Sequence, residues 1–197
     1  MPTHRAMVGF FVRLLVINAL LMIPWPGWRE MYATGFRTVA NVLLGSMGHN
    51  GEVRFEPGDG NESGVDTQIV LRNRQTQAQS HLSFSCRYAG WMPTAMTMAL
   101  VLATPLSWKK RLTALVFSLA LVQAFVFARL WVYLAYLFSA GDTLAVLDAG
   151  PAVHSVLGAI SDGLLISLIG SFLGPILIWL VIAVRKLQWS EPPKKPA

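Results

Sequence analysis

The polar segment Ser85-Cys86-Arg87-Tyr88 runs directly into the apolar segment Ala89 to Leu106. This junction decides the predicted fold, because the apolar segment has about the length that a membrane helix requires. Cys86 is the only cysteine of the chain and lies where that helix is expected to begin. One cysteine excludes an internal disulfide framework and a multi-cysteine zinc site. Cys86 is therefore either an inert small side chain or a reactive thiol.

The composition of the whole chain is strongly apolar. Of its 197 residues 54% are hydrophobic and 13% are charged, and the mean hydropathy is +0.50. These values exclude an ordinary soluble domain and are typical of an integral membrane protein. The net charge of +6 could indicate nucleic-acid binding, but the Lys and Arg residues concentrate at the ends of apolar segments, as membrane topology requires. We expect a lipid bilayer as partner and no nucleic acid.

Four apolar segments predict four transmembrane helices. They are Met7 to Trp25, Ala89 to Leu106, Leu112 to Phe138 and Val156 to Val184. The first is interpreted as a retained span, since no small-residue cleavage site of a signal peptide follows it. The predicted fold class is an all-α transmembrane bundle of four helices, with a small extracytoplasmic β-ribbon and an interfacial helix between the first and second spans.

The polar region before Cys86 predicts the interfacial helix and the ribbon. Apolar residues between Met31 and Leu44 recur every three or four positions, which is typical of an amphipathic helix on a membrane surface. Further on, the segments Glu52 to Glu56, Thr67 to Asn73 and Ser80 to Ser85 favour strands, the latter two by alternating apolar and polar residues. These three segments predict a small antiparallel ribbon that leads into Cys86.

Charge placement predicts the domain organisation and its orientation. Residues 1–27 form the first span, 28–87 the extracytoplasmic region, 88–184 a three-span core and 185–197 a basic tail. Lys and Arg cluster at the N-terminus, in the second connection and after the fourth span. By the positive-inside rule both termini are cytoplasmic, and the protein is a multi-pass protein of the cell (inner) membrane. The ribbon, Cys86 and His154 are then expected at the outer face.

Cys86, Arg129 and His154 are the candidate catalytic residues. A thiol becomes a nucleophile near neutral pH when a cation or a helix N-terminus stabilises the thiolate. Arg87 follows Cys86 directly, and Arg129 is expected to face it from the next span. His154 is expected at the same membrane face, where an imidazole could accept the thiol proton. The pattern predicts a thiol, a cation and an imidazole within about one side-chain length of each other.

Each of these residues also has a structural interpretation. Cys86 could be a buried structural cysteine, and His154 a solvated loop histidine. Arg129 could pair with Asp162 in the neighbouring span, because a guanidinium within a span needs a partner. No cofactor is implied, and His49 and His81 lack metal-ligand spacing, so no metal site is predicted.

Three short segments carry a resemblance to a known family. They are Phe84 to Gly90 around Cys86, Lys110-Arg111-Leu112 through Ala128-Arg129-Leu130, and Val153-His154-Ser155. Together they resemble the exosortase/archaeosortase family, polytopic membrane proteins that act as cysteine transpeptidases. The family commonly has serine and glycine after the cysteine, where this chain has Arg87 and Tyr88.

The resemblance implies a mechanism and a substrate class. Cys86 would attack a peptide bond, Arg129 would stabilise the thiolate or the oxyanion, and His154 would transfer the proton, with Asp162 and Arg87 in supporting roles. The substrate would be a membrane-anchored protein with a C-terminal sorting signal. The alternative is a non-catalytic membrane accessory or assembly protein of an envelope export system, whose ribbon binds a partner. The sequence contains no feature that fixes an oligomeric state.

Overall fold

The computed structural model describes residues 4–23, 27–58, 64–139, 144–147, 150–163 and 168–188. In these residues two helices are followed by four strands and then by five helices. The helices are α1 (His4–Met22), α2 (Trp28–Leu44), a short π-helix (Arg87–Trp91), α3 (Met92–Ala103), α4 (Trp108–Ser139), α5 (Pro151–Ser161) and α6 (Leu168–Gln188). The strands are β1 (Ser46–Met47), β2 (Gly51–Pro57), β3 (Thr67–Asn73) and β4 (Gln79–Phe84).

The strands form one antiparallel sheet in the order β1-β2-β3-β4. In its central pair Val53 lies opposite Leu71, and in the next pair Ile69 lies opposite Leu82. Strand β2 alternates buried residues with less buried or exposed ones over most of its length, as expected when one face of a sheet packs against a core. The three longer strands lie where the sequence predicts them, and β1 is an addition.

The sheet is part of a core and is not a ribbon attached to a helical bundle. Val53, Phe55, Ile69 and Leu71 are buried in one cluster with apolar residues of α2 and of the second half of α4. The prediction of an all-α bundle of four transmembrane helices is therefore wrong. The described fold is mixed α/β, because a folded sheet covers apolar side chains that the sequence assigned to contacts with lipid or other helices.

The apolar segments also form helices of unequal length. In the described part of the chain, α4, with 32 residues, is the one helix long and apolar enough to cross a membrane. The predicted second span is shortened to a five-residue π-helix followed by the 12-residue α3. The predicted fourth span contains two helices, α5 and α6, with residues 164–167 outside the described part. Hydropathy alone predicted more spanning helices than the described residues form.

Helix α2 differs from the predicted interfacial helix in what its faces contact. Its residues Ala33, Phe36, Ala40 and Leu44 are buried in the core, and the spacing of three and four residues places them on one side of the helix. Asn41 connects this helix to β2, because its side chain donates to the carbonyl of Phe55 at 3.0 Å and accepts from the Phe55 amide at 2.8 Å. Helix α2 is therefore anchored to the sheet.

The chain divides into two compact units. One comprises the described parts of Met1–Ile23, Pro93–Ala124 and Phe172–Ala197, and the other comprises those of Pro24–Met92 and Phe125–Ser171. In the first unit Trp179 donates its indole hydrogen to Thr104 Oγ1 at 2.8 Å, and Gln123 donates to Thr94 Oγ1 at 2.8 Å. The second unit contains the sheet, α2, α5, Cys86, Arg129 and His154. We call it the sheet unit.

Candidate functional site

Cys86 lies between the end of β4 and the π-helix, and its side chain is fully buried, with 0% exposure. Its Sγ is 3.1 Å from Thr67 Oγ1, a hydrogen bond in which either atom can donate. The pKa of the thiol is raised from an ordinary value near 9.0 to about 12, mainly by burial. The nearby Asp66 carboxylate also acts to raise this pKa, whereas the bond to Thr67 acts to lower it. At neutral pH the thiol is protonated.

The carboxylate of Asp66 organises the backbone around Cys86. Its Oδ1 accepts hydrogen bonds from the Cys86 amide at 2.8 Å and from Thr67 Oγ1 at 3.0 Å. Its Oδ2 accepts from the Arg87 amide at 3.4 Å. These amides lie at the start of the π-helix, where backbone donors lack partners within the helix. Asp66 therefore caps this helix from a distant part of the sequence.

Arg37 of α2 holds the backbone of Asp66 in place. The guanidinium is buried, with 7% of the residue exposed, and its Nη1 donates to the Asp66 carbonyl at 2.9 Å. Its Nη2 donates to Glu30 Oε1 at 2.7 Å and to Thr34 Oγ1 at 2.9 Å. We call Arg37, Asp66, Thr67 and Cys86 the Cys86 cluster. Every polar side chain of this cluster has a partner, so it is a fully satisfied junction between α2, β3 and the π-helix.

Arg129 has different surroundings. It lies in the second half of α4 with 4% of its surface exposed, and its Nε and Nη1 have no hydrogen-bond partner among the residues that the structure describes. The guanidinium carbon lies 5.3 Å from the centre of the Phe125 ring. Such an aromatic contact stabilises a cation but does not replace acceptors for its N–H groups.

His154 belongs to α5 and Asp162 directly follows the last residue of that helix. Among the described residues, neither is bonded to Cys86 or Arg129. His154 Nδ1 is 3.0 Å from Ser139 Oγ, and its ring stacks on Tyr136 with centroids 4.9 Å apart. These contacts fix His154 against the end of α4. Asp162 is exposed at the C-terminal end of α5, and the described part of the chain contains no ion pair between Asp162 and Arg129.

The structure therefore connects the predicted residues only partly. Cys86 shares a buried cluster with Val126 and Leu130, which flank Arg129 on α4. Within the described ranges, no hydrogen bond or ion pair joins Cys86 to Arg129 or to His154. Arg87 contributes its backbone amide to the Asp66 cap. The expected triad is not assembled as a hydrogen-bonded set.

Sequence reasoning missed Arg37, Asp66 and Thr67. Arg37 lies four positions after Ala33 and three before Ala40, on the buried side of the amphipathic helix α2. A charged residue among the apolar positions of this helix was the one available signal, since Asp66-Thr67 stands at the beginning of a predicted strand. The contact between Arg37 and Asp66 joins residues 29 positions apart, and no local pattern indicates such a pair.

The described part of the chain has no candidate metal site. No group of three or more His, Cys, Asp or Glu side chains there is placed to hold a metal ion.

A shallow cavity lies on the sheet, and Glu52, Arg54 and Arg72 are among its lining residues. Glu52 accepts from Arg54 at 2.7 Å and from Arg74 at 3.2 Å, and the pKa of its carboxyl is lowered by these hydrogen bonds.

Comparison of this chain with protein-family models, with curated proteins and with solved structures yields no match.

Proposed function

We propose that this protein is a non-catalytic membrane protein that acts as an accessory or assembly subunit of an envelope export system. The observation that carries the proposal is the state of Cys86, which is buried and bonded to Thr67 and has a pKa raised to about 12. A thiol with that pKa is ionised at pH 7 in only about one molecule in 100,000. Because the thiolate is the nucleophile, this environment favours a structural role for Cys86.

Uncovered apolar surface supports the membrane location. Helix α4 has a mean hydropathy of 2.0 over its most apolar stretch, and only 28% of that stretch is buried within the chain. Trp108 and the basic residues Lys109, Lys110 and Arg111 stand at its beginning, an arrangement typical of a membrane interface. Apolar surface of this extent is normally covered by lipid or by another protein.

The sheet unit supports a binding role. Its outer face carries the charged residues Glu52 and Arg54, which pair with each other at 2.7 Å, and Arg74 pairs with the same glutamate. A rigid sheet with a polar outer face, on a chain that also has uncovered apolar helices, suits a protein that binds one partner outside the membrane and another within it.

A second candidate function is the cysteine peptidase or transpeptidase that the resemblance to exosortases implies. One observation favours it, namely that Cys86 packs in the same cluster as Val126 and Leu130, on either side of Arg129. A movement that released Cys86 from Thr67 could then bring the thiol to the guanidinium. Cys86 would attack the peptide carbonyl of a sorting signal, Arg129 would stabilise the oxyanion, and His154 would transfer the proton.

The experiment that tests the proposal is the pH dependence of Cys86 alkylation by iodoacetamide in the purified, detergent-solubilised full chain. Slow labelling at pH 7, with no titration below pH about 10, is expected from the raised pKa of the thiol. The same protein in guanidinium chloride should label rapidly, with the ordinary thiol pKa of about 9. This measurement establishes that the reagent and the thiol are both reactive when Cys86 is exposed.

An activated thiol would give the opposite result. Rapid labelling of the folded protein with a midpoint below about 8, slowed by Arg129→Ala and not by the exposed-site control Lys109→Gln, would reject the accessory role and favour the peptidase.

A further inference from the structure

The two edges of the sheet differ in how their backbone groups are satisfied. At the β2 edge, β1 pairs with Gly51, and the Gly45 carbonyl accepts from the Val53 amide at 3.1 Å. The Asn41 side chain accepts from the Phe55 amide and donates to the Phe55 carbonyl. Proteins commonly close an edge in this way, because an open edge strand can pair with another extended chain. The β2 edge is therefore closed from Gly51 to Phe55.

Strand β4 forms the opposite edge, and the direction of its backbone groups follows from the register. The Asn73 amide donates to the Ala78 carbonyl at 2.9 Å, and hydrogen-bonded pairs alternate with non-bonded pairs along an antiparallel ladder. Val70 and His81 lie opposite each other three positions further along, so they form a non-bonded pair. The amide and carbonyl of His81, and likewise those of Ser83, therefore point away from β3.

The β4 edge has no comparable closure among the described residues. No hydrogen bond that these residues form reaches the outward backbone groups of Gln79, His81 or Ser83, and all three residues are exposed. Strand β4, Gln79–Phe84, also lacks proline, lysine and acidic residues, which natural proteins use to block an edge strand. This edge is therefore open to the addition of a strand.

The side chains along this edge restrict what can be added. Leu82 and Phe84 are half-buried and pack against the core of the sheet unit, so an added strand places every second side chain beside them. His81 and Ser83 are exposed on the other face. The occupant therefore needs apolar side chains at alternate positions and polar ones between them. A second copy of β4 meets this requirement only in part, because Ser80 takes one of its three core-facing positions.

We propose that β4 accepts an extended segment of a partner protein as a fifth strand of the sheet, and that this segment alternates apolar and polar side chains. This inference rests on the proposed accessory function and specifies how its partner binds. In strand addition of this kind, main-chain hydrogen bonds to residues such as His81 supply affinity. Contacts with Leu82 and Phe84 supply selectivity for the apolar positions of the segment.

A synthetic peptide of alternating valine and threonine, with a lysine at each end and a fluorescent label, is the probe. Its affinity for the purified full chain in neutral detergent is measured by fluorescence anisotropy. His81→Pro removes an outward N–H donor and no donor to β3, and an edge strand tolerates proline at such a position. We expect this variant to bind the peptide about tenfold more weakly, because a peptide carbonyl loses its donor. The matched control His81→Thr keeps the donor and should bind as the wild type does.

Amide hydrogen exchange tests the open edge in the wild type, without any substitution. In the full chain labelled with isotopic histidine, the His81 amide should exchange rapidly, since its hydrogen points away from β3. Saturating peptide should slow this exchange by at least about tenfold, because the amide then donates to the added strand. This measurement also decides the question if His81→Pro does not fold, as judged by circular dichroism.

Four results would overturn the proposal. Slow exchange of the His81 amide in the free chain would mean that the chain itself fills the edge. Equal binding by the wild type and folded His81→Pro would place the peptide elsewhere, and equal weakening by His81→Thr would assign the contact to the imidazole. Self-association of the chain that His81→Pro abolishes would assign the edge to a second copy. Alkylation of Cys86 reports on the proposed function independently, so failure of one proposal is distinguishable from failure of the other.

Discussion

Arg37 and Arg129 are both buried arginines of the sheet unit, with 7% and 4% of their surface exposed. Arg37 has three hydrogen-bond acceptors, the Asp66 carbonyl, Glu30 and Thr34. For Arg129, the described residues supply no acceptor to Nε or Nη1. The two arginines therefore have different effects on the stability of the fold. A satisfied arginine stabilises a junction within the chain, whereas a buried arginine without acceptors destabilises the fold.

The largest effect that follows from this comparison is expected at Asp66. Asp66→Ala removes the acceptor of the Cys86 amide, of the Arg87 amide and of Thr67 Oγ1, and two of these groups, Cys86 and Thr67, are buried. Each unsatisfied buried donor costs about 1–3 kcal/mol, so we expect the free energy of unfolding to fall by about 3 kcal/mol in denaturant titration.

Asp162→Ala is the matched control for this substitution. Asp162 is exposed at the end of α5, and the free energy of unfolding should change by less than about 0.5 kcal/mol. A loss at Asp162 as large as that at Asp66 would mean that Asp162 has a partner after all, and the comparison between the two arginines would have to be abandoned.

The second prediction substitutes each arginine by methionine, which keeps the long apolar stem. Arg37→Met leaves the Asp66 carbonyl without its donor and should lower the free energy of unfolding by about 2 kcal/mol. Arg129→Met removes a buried cation without a described partner, so the isolated chain should be unchanged or more stable. Chemical denaturation of both variants in the same detergent measures the contrast.

Equal destabilisation by the two substitutions would contradict this contrast. It would place a hydrogen-bond partner for Arg129 within the chain.

The sequence predicted the local elements of the sheet unit well because their signals are local. Alternation around Ile69 and Leu82 indicated strands, and the apolar spacing of Phe36 and Ala40 indicated a helix with one buried side. The assembly of these elements was predicted wrongly. Hydropathy reports that a segment is apolar, but it does not distinguish apolar surface covered by a sheet from apolar surface that contacts lipid. The four-span bundle was predicted because apolar segments of both kinds were interpreted as membrane spans.

In the candidate site, too, the sequence indicated individual residues but not the contacts they make. The sequence singled out Cys86 and Arg129 because one is a lone cysteine and the other a cation within an apolar segment. Their partners depend on helix rotation and on long-range contacts. Asp162 was expected beside Arg129 from its depth in the next apolar segment, and it lies exposed at a helix end. Asp66 reaches Cys86 across 20 positions, which no spacing rule predicts.

The third prediction concerns the contact between α2 and the π-helix, beside the Cys86 cluster. A Cβ at Gly90 would lie 2.6 Å from the hydroxyl of Tyr32 and 3.1 Å from the ring of Phe36. Phe36 is buried, so Gly90→Ala forces the two helices apart and should cost about 1.5 kcal/mol of unfolding free energy. The matched control is Gly35→Ala in α2, where a Cβ meets nothing within 4 Å.

Gly35→Ala should be neutral or stabilising by up to about 1 kcal/mol, because alanine favours a helix over glycine. Destabilisation by both substitutions would indicate a general intolerance of α2 to change, and the specific role of this junction would then be refuted.

The smallest expected effect is a dependence of stability on pH that Cys86 alone should cause. Its pKa is raised in the folded protein, to about 12 from 9.0, so the unfolded chain releases the thiol proton at lower pH than the folded chain does. The stabilisation is complete below pH about 9 and is lost as the pH rises towards 12. At pH 10 the loss amounts to about 1 kcal/mol, since each pKa unit corresponds to about 1.4 kcal/mol.

Cys86→Ala isolates this contribution from the lysines and tyrosines that titrate in the same range. The unfolding free energy of the wild type should fall more steeply between pH 8 and pH 10 than that of the variant, by about 1 kcal/mol. Parallel pH profiles would mean that the folded protein ionises Cys86 as readily as the unfolded chain. The Cys86 cluster would then no longer contrast with the unsatisfied surroundings of Arg129, and the thiol would again be a candidate nucleophile.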